Sequence, residues 1–488
     1  MERLSKLIKK EIFFWGIGFL LVFIPLYPKF PLFPVSGTYV HIRLEDIFVA
    51  LVLGLFIIHL LVKKDFSLLK ENIAKLAFLY FGIGFLAVLN GIFIAKNIVP
   101  HLAFLHWARR IEYFSLLFVA YYSLDNIKQL KTYGWLIFFS TLGVIFYGLG
   151  QKFFGWPVVS TMNKEFSKGM ILKLTWWARV NSTFAGHYDL AAFLVMILCL
   201  TFSVLLITKR KFLKIPIIIF GVFSYYLLIL TASRISFIAY LLGGGTVLYL
   251  AKKNWWIFPF LLFSLLGMFF SEDLGQRYAA TFKIDLSFLS GKTKIKTEEI
   301  AYLPTATPTP TEVPLAIPTQ GKKIISKVIP TLTPTPTPTL LPEEEATPPA
   351  YFEPTALAVG RSTDIRLKVE WPRAIRAFLK NPLLGTGYSS ITLATDNDYL
   401  RMLGETGLLG TLAFLALIIT IAKDFYLFLA KNRFDYTERL IICGIIGASI
   451  GYFVNAAFID VFEASKVAFF FWIMIGLGLK VVRLKMNK

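Results

Sequence analysis

Residues 361–380 combine many basic side chains with the pattern of a short amphipathic helix. Six of these twenty residues are Arg or Lys and only two are acidic. Arg373, Arg376 and Lys380 are spaced by three and four residues, so on a helix they share one face. Such a basic patch fits an anionic ligand, for example a lipid phosphate. The alternative is a surface helix whose long side chains reach the lipid headgroups.

Further arginines stand at the edges of apolar runs. Arg234 lies in a very short turn between two such runs, where a charge is costly unless it faces a polar cavity or a partner. Arg179 and Arg277 also lie near the ends of apolar runs. These positions favour a polar site at one membrane surface, and the alternative for Arg234 is a simple interfacial anchor.

The composition shows which kind of scaffold must position these residues. Of the 488 residues, 56% are hydrophobic and only 17% are charged, against about 45–50% and about 25% in ordinary soluble domains. This excludes a soluble enzyme, since the chain cannot supply the polar surface that several soluble domains would need. The two cysteines, Cys199 and Cys443, fall inside apolar runs without metal-ligand spacing, which predicts small packing residues.

Apolar runs recur along the chain, each close to the length of about 20 residues that crosses a bilayer. Backbone groups inside hydrocarbon must be satisfied within each segment, so the runs are predicted to be helices. The fold class is therefore predicted to be an all-α polytopic membrane protein with about twelve transmembrane helices. The predicted spans are 12–27, 46–62, 76–94, 104–123, 132–150, 189–207, 215–231, 235–251, 254–270, 403–422, 439–456 and 467–480.

Basic residues predict the orientation. The loops and termini on one side carry 24 of the 51 Lys and Arg residues, and the short segments on the other side carry about 10. Because positive residues stay in the cytoplasm, both termini are expected there. Much of the basic charge behind the net charge of +21 is then explained by the orientation of the protein in the membrane, and it requires no nucleic-acid partner.

One large extracytoplasmic loop is predicted between helices 9 and 10, over 271–402. It separates a membrane domain at 1–270 from another at 403–488. A Pro/Thr-rich insert at about 303–358 cannot pack a core and is expected to be an extended spacer or a passive insertion. After it, Pro372 suits the first turn of an amphipathic helix at about 371–380, which Asn381-Pro382 would end.

Four local patterns in this order resemble the O-antigen ligase and O-antigen polymerase superfamily of bacterial envelope glycosyltransferases. They are RVNSTFAGHYDLAAFL from Arg179, LTASRISF around Arg234, Arg366 upstream of a Trp and of NPLLGTGY at 381–388, and DNDYLRMLGETGLLG at 396–410. Together with the span pattern, the resemblance covers most of the chain outside the Pro/Thr-rich insert. It does not distinguish a ligase from a polymerase.

The resemblance implies a multi-pass protein of the bacterial inner membrane that needs no cofactor. It would move a glycan from an undecaprenyl-diphosphate carrier to a hydroxyl acceptor on a glycan, lipid or other molecule, inverting the anomeric carbon without nucleotide sugar or metal. Fixed arginines would then stabilise the diphosphate leaving group. Arg234 and Arg366 match the family positions for this role, and Arg179 and Arg277 are further candidates. Membrane lipids are the remaining expected partners.

The resemblance also directs attention to a base for the acceptor hydroxyl. Ligases of the family often carry His where this chain has Asp396, and an unperturbed Asp is a weak base unless burial or pairing shifts its pKa. The substitution favours a polymerase or a different acceptor. His187 is the second candidate. The alternatives are helix capping by the Asp396–Asp398 run and an interfacial hydrogen bond by His187. Asp460 and Glu463, in the last outer turn, are expected to be solvated.

Two other functions compete with the transferase. A transporter or flippase of lipid-linked oligosaccharide is consistent with twelve spans, but it predicts repeated halves and charges near mid-membrane. The sequence instead divides into nine spans, a loop and three spans, and its mid-span positions are expected to be almost uncharged. A non-catalytic envelope scaffold would leave the arginine positions unexplained.

Overall fold

The chain is described by a computed structural model over residues 10–38, 41–161, 166–175, 178–268, 365–391, 394–431 and 434–486. Thirteen helices of at least ten residues occur there: α1 (Lys10–Leu26), α2 (Leu44–Lys63), α3 (Asn72–Leu89), α4 (Pro100–Ser123), α5 (Leu130–Phe154), α6 (His187–Ile207), α7 (Lys211–Leu230), α8 (Arg234–Leu250), α9 (Ile257–Met268), α10 (Trp371–Lys380), α11 (Asp398–Ala430), α12 (Tyr436–Ala456) and α13 (Ser465–Met486). Two antiparallel pairs of very short strands join them, β1 (Phe33–Pro34) with β2 (His41–Ile42) and β3 (Val158–Val159) with β4 (Ile171–Leu172).

The helical architecture agrees with the prediction of an all-helical membrane protein. Among the described residues, eight helices are long and apolar enough to cross a membrane, namely α2, α3 (extended by the π-helical turn Asn90–Ile94), α5, α6, α7, α11, α12 and α13. The apolar helices α8 and α9 are shorter. The count of twelve crossings stays a prediction. The Pro/Thr-rich insert and most of the predicted large loop lie outside the described residues.

The core is built around α6, α12 and α13. Of the most apolar 18-residue stretch of α13, 83% is buried. The corresponding share for the peripheral α7 is 28%. Helix α12 packs on α6 and α8, α13 on α4, and α11 on α3. Small residues allow the close approach: a Cβ on Gly243 would meet the carbonyl oxygen of Gly447 at 2.6 Å. Backbones can pack this closely only where side chains are minimal.

A buried lysine joins three of these elements at one end of the bundle. The Lys466 ammonium, at the start of α13, donates to the carbonyl oxygens of Tyr27 at 2.5 Å and Thr183 at 2.9 Å. The Thr183 hydroxyl donates in turn to the Pro25 carbonyl oxygen. The end of α1, the segment before α6 and the start of α13 are thereby connected.

Lys466→Met should therefore destabilise the protein, because it keeps most of the side-chain volume but leaves buried carbonyl groups unsatisfied. Each such group costs about 1–3 kcal/mol, so the midpoint of thermal unfolding in detergent should fall by several degrees. Lys253→Met, at an exposed lysine, is the matched control and should leave the midpoint unchanged. Equal midpoints for the two variants would show that the Lys466 contacts do not stabilise the fold.

Candidate active site

The segment before α6 is held in a fixed conformation beside the turn that precedes Arg234. The side chain of Gln151 accepts from the Ser182 backbone N–H at 2.7 Å and donates to the Ser182 carbonyl at 2.9 Å. Ser182 itself has φ +51°, which is uncommon for a residue other than glycine. The Val180 N–H donates to the Leu230 carbonyl at 3.4 Å. These bonds place the segment that carries Arg179 against the end of α7.

Arg366 and Asp396 form an ion pair. Two groups of the guanidinium, Nε and Nη2, donate to the same Asp396 oxygen, Oδ2, at 3.0 and 2.7 Å. Arg366 begins a π-helical turn, Arg366–Glu370, that runs directly into α10. Asp396 lies two residues before α11 with φ +49°, a strained backbone conformation of the kind that functional sites retain. Two segments of the predicted large loop, 30 residues apart in the chain, thus meet at one charged pair.

Three further residues lie beside the Arg366–Asp396 pair. We call the whole set the Arg366 cluster; it consists of Arg179, His187, Tyr188, Arg366 and Asp396. The Arg179 Nη1 group donates to His187 Nε2 at 2.5 Å. The His187 ring lies 4.0 Å from the Tyr188 ring, measured between centres, and the Arg179 guanidinium lies 5.9 Å from the same tyrosine ring. Arg179 and Arg366 both interact electrostatically with the Tyr188 hydroxyl. Two arginines therefore converge on one small region.

Burial shifts the pKa of two carboxyl groups in this region. Burial raises the pKa of Asp396 above its ordinary value, and this effect outweighs the opposing charge of Arg366. Burial also raises the pKa of Glu370, to about 7, with a further contribution from the negative charge of Asp396. A carboxyl group with a pKa near neutrality can exchange a proton at physiological pH, as general acids and bases must.

Next to this cluster lies a set of buried and half-buried charges, the Arg401 network, consisting of Arg110, Asp398, Arg401, Glu405, Asp460 and Glu463. Arg401 pairs with Asp460 at 2.9 Å and with Glu405 at 3.6 Å. Arg110 lies 3.7 Å from Glu405 and pairs with Glu463. The expectation that Asp460 and Glu463 are solvated is therefore wrong: both pair with arginines, because the turn between α12 and α13 folds back over the start of α11.

Asp460 and its neighbours also fix the segment that carries Asp396. Asp460 accepts from the backbone N–H groups of Thr395 at 2.9 Å and Asn397 at 3.2 Å. Asn397 caps α11 by accepting from the Leu400 N–H at 2.9 Å. Asp398 accepts from the Phe462 N–H at 3.0 Å. The N-terminal cap of α11 is thus Asn397, not Asp396 or Asp398, so Asp396 is left to pair with Arg366.

A kink at Gly407 in α11 supports the site through its backbone. Gly407 has φ +64° and ψ −166°, which breaks α11 after its first turns. The loop 382–387 forms hydrogen bonds with backbone groups that lose their helical partners at the kink. The Pro382 carbonyl accepts from the Leu408 N–H at 2.8 Å, and the Gly387 N–H donates to the Glu405 carbonyl at 2.9 Å. The loop and the kinked helix therefore depend on each other for their hydrogen bonds.

The structure brings four of the six predicted site residues together: Arg179, His187, Arg366 and Asp396. Arg234 is at the first position of α8, after a turn in which Ala232 has φ +49°. That turn adjoins the segment that carries Arg179 through the Val180–Leu230 bond. Arg277 lies outside the described residues. The catalytic and diphosphate-binding roles of these residues remain predictions.

Sequence reasoning missed Glu370 and the arginines of α4. Glu370 was counted only as one of two acidic residues within a basic segment. Helix α4 carries His106, Arg109, Arg110 and Glu112 inside one apolar run, so the expectation of nearly uncharged mid-span positions does not hold for this helix. Four ionisable residues within seven positions of a predicted span were a signal for a polar site.

Comparison with known families gives an independent result. Residues 219–415 match the family model described as O-antigen ligase, a segment that includes Arg234, Arg366 and Asp396. The match confirms the resemblance to the O-antigen ligase superfamily over this segment, which is less than half of the chain. Arg179 and His187 precede it. No curated protein matches the chain.

Proposed function

We propose that this O-antigen ligase-like chain is an envelope polysaccharide transferase. It moves a glycan from an undecaprenyl-diphosphate-type lipid carrier to a hydroxyl acceptor, inverts the anomeric carbon and needs no metal. The observation that carries the proposal is the convergence of Arg179 and Arg366 on Asp396, His187 and Tyr188 at one end of the bundle. The family match contains two of the arginines that the chemistry requires.

The arginines suit the leaving group. As the bond between the sugar and the phosphate breaks, negative charge builds on the diphosphate, and preorganised guanidinium groups stabilise that charge. Arg366 already directs two N–H groups at a carboxylate, and a guanidinium has five N–H donors that match phosphate geometry. Arg179 supplies a second positive charge, and Arg234 a third from the adjoining turn. With these charges fixed in place, the reaction has no need of a metal ion.

The position of the cluster supports a reaction at the outer face of the bacterial inner membrane. His187, Arg234 and Lys466 all lie within the first two residues of their helices. The basic segments that predict the cytoplasmic side lie at the opposite helix ends, for example around Lys10 and Lys63. With both termini in the cytoplasm, the cluster faces outward, where a lipid-linked glycan is available after its export.

The product of a purified reaction tests the function and separates its two forms. The protein in vesicles would be given a lipid-diphosphate-linked oligosaccharide, and product length would be followed. We expect covalent transfer: a ladder still attached to the carrier means a polymerase, and transfer to a different acceptor means a ligase. A donor that crosses the bilayer without any new covalent bond would contradict the proposal and favour a flippase.

A further inference from the structure

Two members of the Arg366 cluster, Asp396 and His187, and the neighbouring Glu370 are candidates to take a proton from a substrate, and the first two are engaged. Asp396 accepts two hydrogen bonds from Arg366 on one oxygen. His187 accepts a hydrogen bond from Arg179 at Nε2, the nitrogen lone pair that a base would use. Glu370 is different: its Oε2 is buried and has no hydrogen-bond partner among the described residues.

Glu370 also shares a face with the arginines of the same segment. It follows Arg366 by four residues and precedes Arg373 by three, which places all three side chains on one side of the helix. Arg373 likewise has a buried guanidinium nitrogen, Nη1, without a hydrogen-bond partner in the described part of the chain. Buried polar atoms normally have partners. An unpaired acceptor and an unpaired donor, three residues apart and within electrostatic reach of each other, can therefore bind one polar ligand together.

A hydroxyl group fits this pair. Its hydrogen can be donated to the Glu370 carboxylate while its oxygen accepts from Arg373. Arg376 and Lys380, further along α10, are exposed. Their exposure favours the alternative of contact with lipid headgroups, so only Arg373 of the predicted basic face is placed for this contact. The pair sits beside Arg366 and Asp396, where the diphosphate of the donor would bind.

We propose that Glu370 and Arg373 bind the acceptor hydroxyl and that Glu370 is the base that takes its proton; this inference rests on the proposed function. The acceptor oxygen forms a bond to the anomeric carbon as its proton passes to the Glu370 carboxylate. The bond from the anomeric carbon to phosphate breaks on the opposite side. Its electron pair leaves with the lipid diphosphate, which Arg366 and Arg179 stabilise. No oxidant, reductant or further reactant is needed.

The charges around Glu370 set its pH dependence. Asp396 and Asp460 raise its pKa, Arg366 and Arg373 lower it, and burial dominates, so that the pKa lies at about 7. A base must be ionised to act. The transfer rate should therefore rise as pH increases through about 7, and it should fall as the carboxylate is protonated below that pH.

The test compares transfer rates and pH profiles of Glu370→Gln, Glu370→Asp and the exposed-face control Arg376→Gln, with a lipid-diphosphate-linked oligosaccharide as donor. General-base catalysis contributes about 10²–10⁴-fold, so E370Q should lose that factor and the rise near pH 7, yet still bind the donor. E370D should recover part of the rate. R376Q should match the wild type.

The outcomes separate the two proposals. An inactive wild type contradicts the proposed function itself. An active wild type with an equally active E370Q, or with a rate independent of pH between about 6 and 8, overturns the role of Glu370 alone. If E370Q does not fold, the pH profile of the wild type and the rate of E370D still decide the matter.

Discussion

Arg366→Ala is expected to abolish glycan transfer while the protein still inserts into the membrane. The substitution removes the guanidinium that we propose stabilises the leaving diphosphate, and it leaves the mostly buried Asp396 without its ion-pair partner. Loss of one such preorganised group costs about 10²–10³-fold in rate. The measurement is the transfer rate of purified protein in vesicles, with the amount of folded protein determined in parallel.

Controls define what a loss of activity in Arg366→Ala means. Arg376→Ala removes an exposed arginine of α10 and should leave the rate unchanged. Arg366→Lys keeps the charge but not the two-pronged geometry, so it should recover little activity. Arg234→Ala should also abolish transfer, because we propose that this arginine, at the first position of α8, adds a further positive charge for the diphosphate. Wild-type glycan levels in both alanine variants would refute the transferase mechanism.

Gly385→Ala is expected to disrupt the site by a different route, through the backbone beneath it. Gly385 has φ +67°, and a Cβ there would lie 2.5 Å from the Glu405 carbonyl carbon and 2.6 Å from the Gly407 nitrogen. Those backbone atoms belong to the kink and cannot move without breaking its hydrogen bonds. Overpacking costs about 1–3 kcal/mol, and the left-handed conformation adds about 1–2 kcal/mol.

Thermal unfolding and transfer rate should therefore both fall in Gly385→Ala. Gly134→Ala is the matched control, since nothing lies within 4 Å of a Cβ at that position; it should leave both quantities close to wild type. A Gly385→Ala protein as stable and as active as Gly134→Ala would show that the interlock of the 382–387 loop with α11 is unimportant.

Much of the fold could be predicted from local pattern. Apolar runs of membrane-spanning length predict helices, and Pro372 with Asn381-Pro382 predicts the limits of α10. The kink of α11 could not be predicted in the same way, because the GETGLLG run is equally consistent with close helix packing. The loop that stabilises the kink is itself held by a residue distant in the chain, since Asn90 donates to the Gly385 carbonyl at 2.7 Å. Local sequence does not reveal such a contact.

Only some residues of the candidate site could be predicted from the sequence. Position near the end of an apolar run indicated Arg179, whereas the family resemblance indicated Arg366, Asp396 and, as the second candidate base, His187. Their pairing depends on contacts between segments far apart in the chain, which spacing does not encode. Glu370 was missed because a carboxyl group among basic residues is usually a surface group that balances their charge. Only its burial in the structure distinguishes it from such a group. Asp460 was misjudged because its partner, Arg401, lies 59 residues away.

The central claim is that the chain cleaves a lipid diphosphate–sugar bond and passes the glycan to a hydroxyl group. The most direct measurement is the release of free lipid diphosphate by purified wild-type protein, counted against new glycosidic bonds in the same sample. We predict one diphosphate released for each bond formed, and no release by Arg366→Ala. Glycosidic bonds formed without released diphosphate, or equal release by Arg366→Ala, would contradict the account.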